Sequence, residues 1–290
     1  MNARVNACCE ALATLSADGR AELIRQLRAS SEAAKGTRKL YGYFPDEGEC
    51  KRSLYLRHME FFAAGGAHEP KSLPACGDDC DGSAHRERLM LAANRVGKTE
   101  SLGAYEVALH ATGRYPKWWP GRVFHRPVDI WAAGKTNETT RDVVQRKLFG
   151  APMMRGRIKS LEGTGLVPAE DIATVGWKRG VRDLVDTVRV KHQSGGWSTI
   201  GLKSYEQGRG AFEGVEKDVI WFDEEPPADC YTEALVRTMT TQGHVLLTFT
   251  PLEGMSEVVM MFLPGGALPP RDQAKAAAVL ERVGYPAPAQ

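Results

Sequence analysis

Long apolar runs are missing from this 290-residue chain. Its strand-like stretches stop at five or six residues. A helix that crosses a bilayer needs about 20, so no membrane-spanning helix is expected. The basic-then-apolar opening of a signal peptide is missing too: Met1-Asn2-Ala3-Arg4 runs into mixed polar sequence with Cys8, Cys9 and Glu10. The chain is therefore expected to stay in the cytoplasm where it is made, with no membrane partner. An excess of one charge sign is also lacking. The net charge is +2, with 38 basic residues, and this decides little, because a local basic patch serves a nucleic-acid binder as well as a global excess does. Arg86 with Arg88, Arg155 to Lys159 and Lys178 to Arg182 each read, taken alone, as a solvated charged face. There is no internal repeat and no long low-complexity segment.

Paired cysteine spacing is scarce as well. Of six cysteines, Cys8 and Cys9 are neighbours and poorly placed to bridge each other, and nothing points to an oxidising compartment. Cys76 and Cys80 stand in Cys-Gly-Asp-Asp-Cys, with His85 five residues on. Three ligands within ten positions leave a metal open, but a structural zinc site wants four, usually with tighter paired spacing. The stretch from Ala64 to Ser83 reads instead as an exposed Gly/Asp-rich loop.

What is present is the composition of an ordinary globular protein, 42% hydrophobic and 26% charged. The length suits one large α/β domain, or one domain with an appendage. Residues 5–35 carry the spacing of a helix, with an apolar stripe at Leu23, Ile24 and Leu27 behind Ser16-Ala17-Asp18. A second helix is expected over Ser53 to Ala64. From Arg88 onward, strands alternate with helices. Strands are expected at Leu89 to Ala92, Val128 to Ala132, Val219 to Phe222 and Val245 to Phe249. Helices are expected from about Lys98 to Thr112, ended by Gly113, and over Glu138 to Leu148. Thr187 to Lys191 and Ser198 to Lys203 flank Ser194-Gly195-Gly196 as a hairpin. Such alternation favours a largely parallel sheet covered on both faces, with some antiparallel pairing from the hairpin. A short helix over Asp272 to Val283 and a tail from Tyr285 complete the reading.

Ala92-Ala93-Asn94-Arg95-Val96-Gly97-Lys98-Thr99 matches the phosphate-loop form G-x-x-x-x-G-K-[ST], with Ala92 in the first glycine position. A strand that turns abruptly into a helix converges backbone N–H groups on a phosphate chain. Gly97 lets the backbone approach, Lys98 reaches the β and γ phosphates, and the Thr99 hydroxyl ligates Mg²⁺. Ala92 is tolerable if its position needs no positive φ. The loop follows an apolar strand and opens a helical pattern, which is the context that supports it.

Asp218-Val219-Ile220-Trp221-Phe222-Asp223-Glu224-Glu225 is an apolar strand that ends in carboxylates. Beside a phosphate loop, Asp223 fits the Mg²⁺ shell and Glu224 fits activation of the attacking water. Glu225 ranks lower, because adjacent strand positions point to opposite faces. Val245-Leu246-Leu247-Thr248-Phe249-Thr250-Pro251 places the Thr250 hydroxyl at the carboxyl edge of the sheet, where ligands of open α/β sheets collect. Thr250 either senses the γ-phosphate or links hydrolysis to movement, or it is an incidental core-strand residue.

Together these segments resemble the large terminase subunits of tailed bacteriophages. Ala-Asn-Arg-Val-Gly-Lys-Thr, Trp-Phe-Asp-Glu-Glu-Pro and Thr-Phe-Thr-Pro-Leu-Glu-Gly are similar to that family's Walker A, Walker B and coupling motifs. Ser204-Tyr205-Glu206-Gln207-Gly208-Arg209-Gly210-Ala211-Phe212-Glu213-Gly214, just upstream of the acidic strand, is similar too. The resemblance covers about residues 40–260. It implies a P-loop NTPase fold of the RecA-like, additional-strand kind: a mostly parallel sheet flanked by helices, with an N-terminal helical region. Residues 1–85 would form that lid and loop, 86–263 the ATPase core and 264–290 a tail.

The family is a packaging motor, so the implied activity is Mg²⁺-dependent ATP hydrolysis that drives double-stranded DNA through a portal into a procapsid. The implied partners are the portal, the small terminase subunit and further copies in a ring. Residues 93–99 and Thr250 would hold ATP. Arg95 would contact phosphates, and Arg209 is either an arginine finger or a surface charge. Tyr55-Leu56-Arg57-His58 stands where the family contacts adenine, although His58 fits a helix surface equally. Forty residues follow Thr250, so the family's metal-dependent nuclease is not expected from this chain. The rival readings are another nucleic-acid ATPase of the helicase or recombinase type, and a truncated remnant without turnover.

Overall fold

A computed structural model describes residues 39–73, 80–93, 96–251, 254 and 256–263, with scattered positions between 16 and 25. The helix expected over 5–35 lies almost wholly outside the described residues. The helix over 272–283, the tail and Cys76 lie outside them entirely.

A 3₁₀ turn over Arg52–Leu54 leads into helix α1, Leu56–Ala64. Strand β1, Glu87–Leu91, follows the loop after α1. Helix α2 opens wound as a π-helix over Lys98–Ala104 and continues as an α-helix over Tyr105–Thr112, capped by left-handed Gly113. Strand β2 is Asp129–Gly134. The next helix, α3, changes winding twice, through Asn137–Thr139, Thr140–Gln145 and Arg146–Phe149. Strands β3 (Pro152–Arg155), β4 (Ile158–Leu161), β5 (Ile172–Trp177), β6 (Val185–Lys191), β7 (Trp197–Ser204) and β8 (Val219–Asp223) come next. Helix α4 (Ala228–Thr238), strand β9 (His244–Phe249) and helix α5 (Glu257–Met261) end the described chain.

Seven strands form one sheet in the order β1-β9-β8-β2-β7-β6-β5. Neighbours from β1 to β7 are parallel, while β6 pairs antiparallel with both β7 and β5. The expected hairpin is therefore the β6–β7 pair, grafted onto the edge of a parallel sheet. Strand β9 lies between the strand that enters the phosphate loop and the acidic strand. This is the additional-strand arrangement anticipated above.

The central strands β8 and β9 are buried along their whole length, as a sheet covered on both faces demands. Alternate residues separate cleanly. Val219, Trp221 and Leu246 join the core under α2, with Leu102, Tyr105 and Leu109. Ile220, Phe222, Val245, Leu247 and Phe249 face the opposite core, with Tyr231 and Ala234 of α4 and Val258 and Val259 of α5. Helix α2 sits close on the sheet because Gly103 has no side chain: a Cβ there would meet the Trp221 ring at 2.0 Å.

Two expectations are corrected. Of the Arg86 and Arg88 pair, Arg86 is exposed as expected, but Arg88 is not on a solvated face. Arg88 is 4% exposed and donates to the Phe61 carbonyl and, through two nitrogens, to the Glu106 carboxylate. Arg86 donates to the carbonyls of Gly243 and Thr238. His58 is buried rather than on a helix surface. Its ring N–H donates to the Ser101 hydroxyl at 3.1 Å, which in turn donates to the Gly97 carbonyl at 2.6 Å. Burial lowers the pKa of this imidazole. The β3–β4 ribbon and β5 had no counterpart in the strand pattern. Both are short and largely exposed, so no buried apolar run announces them.

Candidate active site

The parallel strands β1, β9 and β8 end side by side, and the residues at their carboxyl ends form two adjoining hydrogen-bonded groups. Strand β1 ends at Leu91, and the chain turns through Gly97, with φ 84°, into α2. That left-handed backbone is what the loop requires of a glycine. Ala92 is not among the positive-φ residues, so an alanine there carries no strain. Asn94 and Arg95 lie outside the described residues. Ala93 and Val96 are exposed on the loop.

Lys98, 7% exposed, folds back over the loop. Its ammonium donates to the carbonyls of Ala92 (2.9 Å) and Ala93 (2.8 Å) and to the Thr250 hydroxyl (2.8 Å). The Thr250 hydroxyl itself donates to the Ala92 carbonyl at 2.9 Å. The end of β9 is thereby tied to the loop that follows β1. Burial lowers the Lys98 pKa, and the nearby Glu224 and Asp223 carboxylates work against it. The ammonium and both acids therefore share one electrostatic environment.

Asp223 is 4% exposed. One of its oxygens accepts from the Thr99 hydroxyl at 2.9 Å and from the Thr248 hydroxyl at 3.1 Å. Thr248 is held in turn by the Trp221 indole N–H at 2.8 Å. Burial dominates the acid's titration and pushes its pKa up to about 7, with Glu224 adding to the rise and the two threonines and Lys98 opposing it. A hydroxyl and a carboxylate oxygen within 2.9 Å are a hard-oxygen donor pair of the kind Mg²⁺ selects. The cost of charging so buried a carboxylate is what a divalent cation offsets. These residues fit the metal.

Glu224 has φ 69°, an uncommon conformation for a non-glycine residue that clusters at functional sites. Its amide donates to the Thr248 carbonyl at 3.2 Å. The Tyr205 hydroxyl, within hydrogen-bond distance of both carbonyls, lies 2.9 Å from those of Asp223 and Glu224. The strand's alternation stops at Asp223, so opposite-face reasoning does not reach Glu225. What takes Glu225 out of the cluster is its hydrogen bond with the Ser256 hydroxyl at the start of α5. Arg209 does not join the cluster either. Its guanidinium pairs with Glu233 of α4 at 3.0 Å and stands 3.8 Å from Glu213. Thr248 and Tyr205 are members the sequence reading missed. Thr248 was legible only as a core-strand residue, but Tyr205 stood inside a motif already singled out.

A parallel sheet with a glycine-lysine-threonine loop opposite an acidic strand end defines a P-loop α/β protein. Residues 89–279 match the family described as "Terminase large subunit, T4likevirus-type, N-terminal", and the chain belongs to that family. It is also 36% identical, over 273 aligned residues, to the large terminase subunit of Salmonella phage P22. That alignment takes in 87% of this chain and 48% of the P22 protein, so the chain spans about half the length of this curated relative. A solved large terminase from a thermophilic bacteriophage, in complex with ADP, aligns with 66% of this chain and 38% of its own, at 15% identity and a TM-score of 0.39. Among the described residues no helix is long and apolar enough to cross a membrane.

Proposed function

We propose that this chain is an ATP-hydrolysing motor domain that drives double-stranded viral DNA into a procapsid in the host cytoplasm. The observation that carries this reading is the convergence of Lys98, Thr99, Asp223, Glu224 and Thr250 on one sheet edge, in a chain of the terminase large-subunit family.

In this reading residues 86–263 are the ATPase core. The loop from Ala93 to Thr99 cradles the phosphates, and the Lys98 ammonium exchanges its loop carbonyls for β- and γ-phosphate oxygens. Thr99 and Asp223 would hold Mg²⁺, which when bound would neutralise charge on the phosphate oxygens. The Glu224 carboxylate orients water for in-line attack and takes its proton. Its left-handed backbone, braced by Tyr205, sets where that carboxylate stands. Thr250 donates to Ala92 and accepts from Lys98, so movement of Lys98 toward phosphate alters a contact on β9 directly. This links hydrolysis to motion. Arg95 or Arg209 neutralises charge in the transition state. For Arg209 that requires release from Glu233. Portal, small terminase subunit and further copies of the chain in a ring are its proposed partners.

The test is ATP hydrolysis by the purified chain with and without DNA, and with portal-bearing procapsids. Lys98→Ala should abolish turnover, and Glu224→Gln should retain ATP binding while hydrolysis stops. Unchanged turnover in both variants would overturn the site. DNA-independent ATPase activity that fails to package DNA into procapsids would overturn the motor.

A further inference from the structure

A second cluster lies in the loop between α1 and β1 and takes no part in the nucleotide network. There His68, Cys80 and His85 each bring one ligand atom to within 4.8 Å of the others. All three are half-buried. The Cys80 sulfur is 3.4 Å from Nε2 of His68. The rings of His68 and His85 are 5.3 Å apart, at 33° to one another. Nδ1 of His68 is 3.0 Å from the Gly66 carbonyl. That contact places the ring proton on Nδ1 and leaves the Nε2 lone pair facing the sulfur, the arrangement in which a histidine is pre-oriented to ligate a metal.

The positions are built by the backbone. The amide of His68 donates to the Gly82 carbonyl at 2.9 Å, and the amide of His85 donates to the Ala64 carbonyl at 2.8 Å. Two chain segments are thus clasped so that the ligands meet, although Cys80 is twelve positions from His68. In a tetrahedral zinc site, bonds of about 2.0–2.3 Å separate neighbouring ligand atoms by roughly 3.3–3.6 Å. The His68–Cys80 pair already stands at that distance. The widest separation, no more than 4.8 Å, needs about 1 Å of side-chain closure to match.

We infer that His68, Cys80 and His85 form a zinc site that staples the α1–β1 loop. One thiolate and two imidazoles select a borderline-soft cation such as Zn²⁺ over Mg²⁺ or Ca²⁺. This differs from the grouping met in the sequence, where Cys76, Cys80 and His85 stood together; the distant His68 joins Cys80 and His85, and Cys76 lies outside the described residues. Three protein ligands leave the fourth tetrahedral position to a water, and the ion ties the end of α1 to the start of β1, so metal removal should loosen this loop while leaving the nucleotide cluster assembled. The inference does not depend on the proposed ATPase activity.

The experiment is metal analysis of the full chain purified from zinc-supplemented culture, followed by replacement with Co²⁺. About one zinc per chain is expected. The Co²⁺ protein should show a thiolate-to-cobalt charge-transfer band and X-ray absorption from a shell of nitrogen with one sulfur. Cys80→Ser should remove that band. His68→Asn and His85→Asn should each weaken zinc binding by at least about tenfold. Chelation should expose the 66–85 loop to protease. A wild-type Co²⁺ spectrum without the charge-transfer band would overturn the site, and it needs no variant to fold. So would full zinc stoichiometry and affinity in a Cys80→Ser, His85→Asn double variant.

Discussion

Replacing Asp223 by Asn should stabilise the metal-free protein while destroying its activity. The carboxyl is buried and its pKa is pushed from an ordinary 3.8 up to about 7, so ionising it in the folded chain is unfavourable. At about 1.4 kcal/mol per tenfold, the penalty at pH 8 has a ceiling of about 4 kcal/mol. Asparagine keeps the oxygen that accepts from Thr99 and Thr248 and removes the charge. Its new amide N–H₂ needs partners in a buried place, which takes back about 1–3 kcal/mol. The net gain expected at pH 8 is therefore about 2 kcal/mol, or roughly 5 °C in Tm for a chain of this size. The sign fixes the pH window. A raised folded-state pKa favours folding most below pH 3.8, and that contribution is lost as pH rises through about 7. The variant's advantage should accordingly shrink on acidification and vanish by about pH 5. Urea titrations of both proteins in EDTA at pH 8 and pH 5 measure this. With Mg²⁺ and nucleotide added, only the wild type should gain stability, through ligand binding to the folded state. A variant no more stable than wild type at pH 8, or a gain that persists at pH 5, would refute the reasoning.

Three further outcomes concern the site and the core beneath it. Thr250→Val removes the hydroxyl between Lys98 and Ala92; a hydrogen bond to a charged group is worth about 1.5–3 kcal/mol, so kcat should fall at least tenfold while equilibrium ATP binding changes little. Tyr205→Phe takes the hydroxyl from the carbonyls of Asp223 and Glu224. It should cost about 1–3 kcal/mol in denaturant titrations and slow hydrolysis by releasing Glu224 from its left-handed backbone. Glu106→Gln leaves Arg88 charged and uncompensated in the core, a loss of about 3–5 kcal/mol. Burial would raise the Glu106 pKa, but Arg88 and His110 outweigh it and hold it at about 2. The stability this pair supplies is therefore present above pH 4.5 and lost as pH falls toward 2, which acid titration of Tm would follow.

Much of the site was legible because its residues are close in sequence and of types that phosphate chemistry demands. The glycine-lysine-threonine loop and the apolar strand that runs into Asp223 and Glu224 are local patterns, and periodicity placed them on strand ends within a residue or two. Resemblance to the terminase family joined them into one site. What stayed hidden depends on distant contacts. Thr248 looks like any residue of a buried strand until register pairs it with Asp223. Arg88 looks like surface charge until Glu106, eighteen positions on, turns out to share its burial. His58 fits a helix surface until Ser101, forty-three positions away, is folded against it.

The sequence alone determined which strands are buried, where the glycine-lysine-threonine loop turns and which acids end the central strand, because hydrophobic period and residue chemistry act over a few positions. Only the tertiary structure decided that Thr248 of β9 stands opposite Asp223 of β8, that Lys98 reaches across to Thr250, and that His68 stands beside Cys80. Those facts depend on strand order and loop closure. Both are set by how two apolar cores pack on opposite faces of one sheet, which no short stretch of the chain encodes.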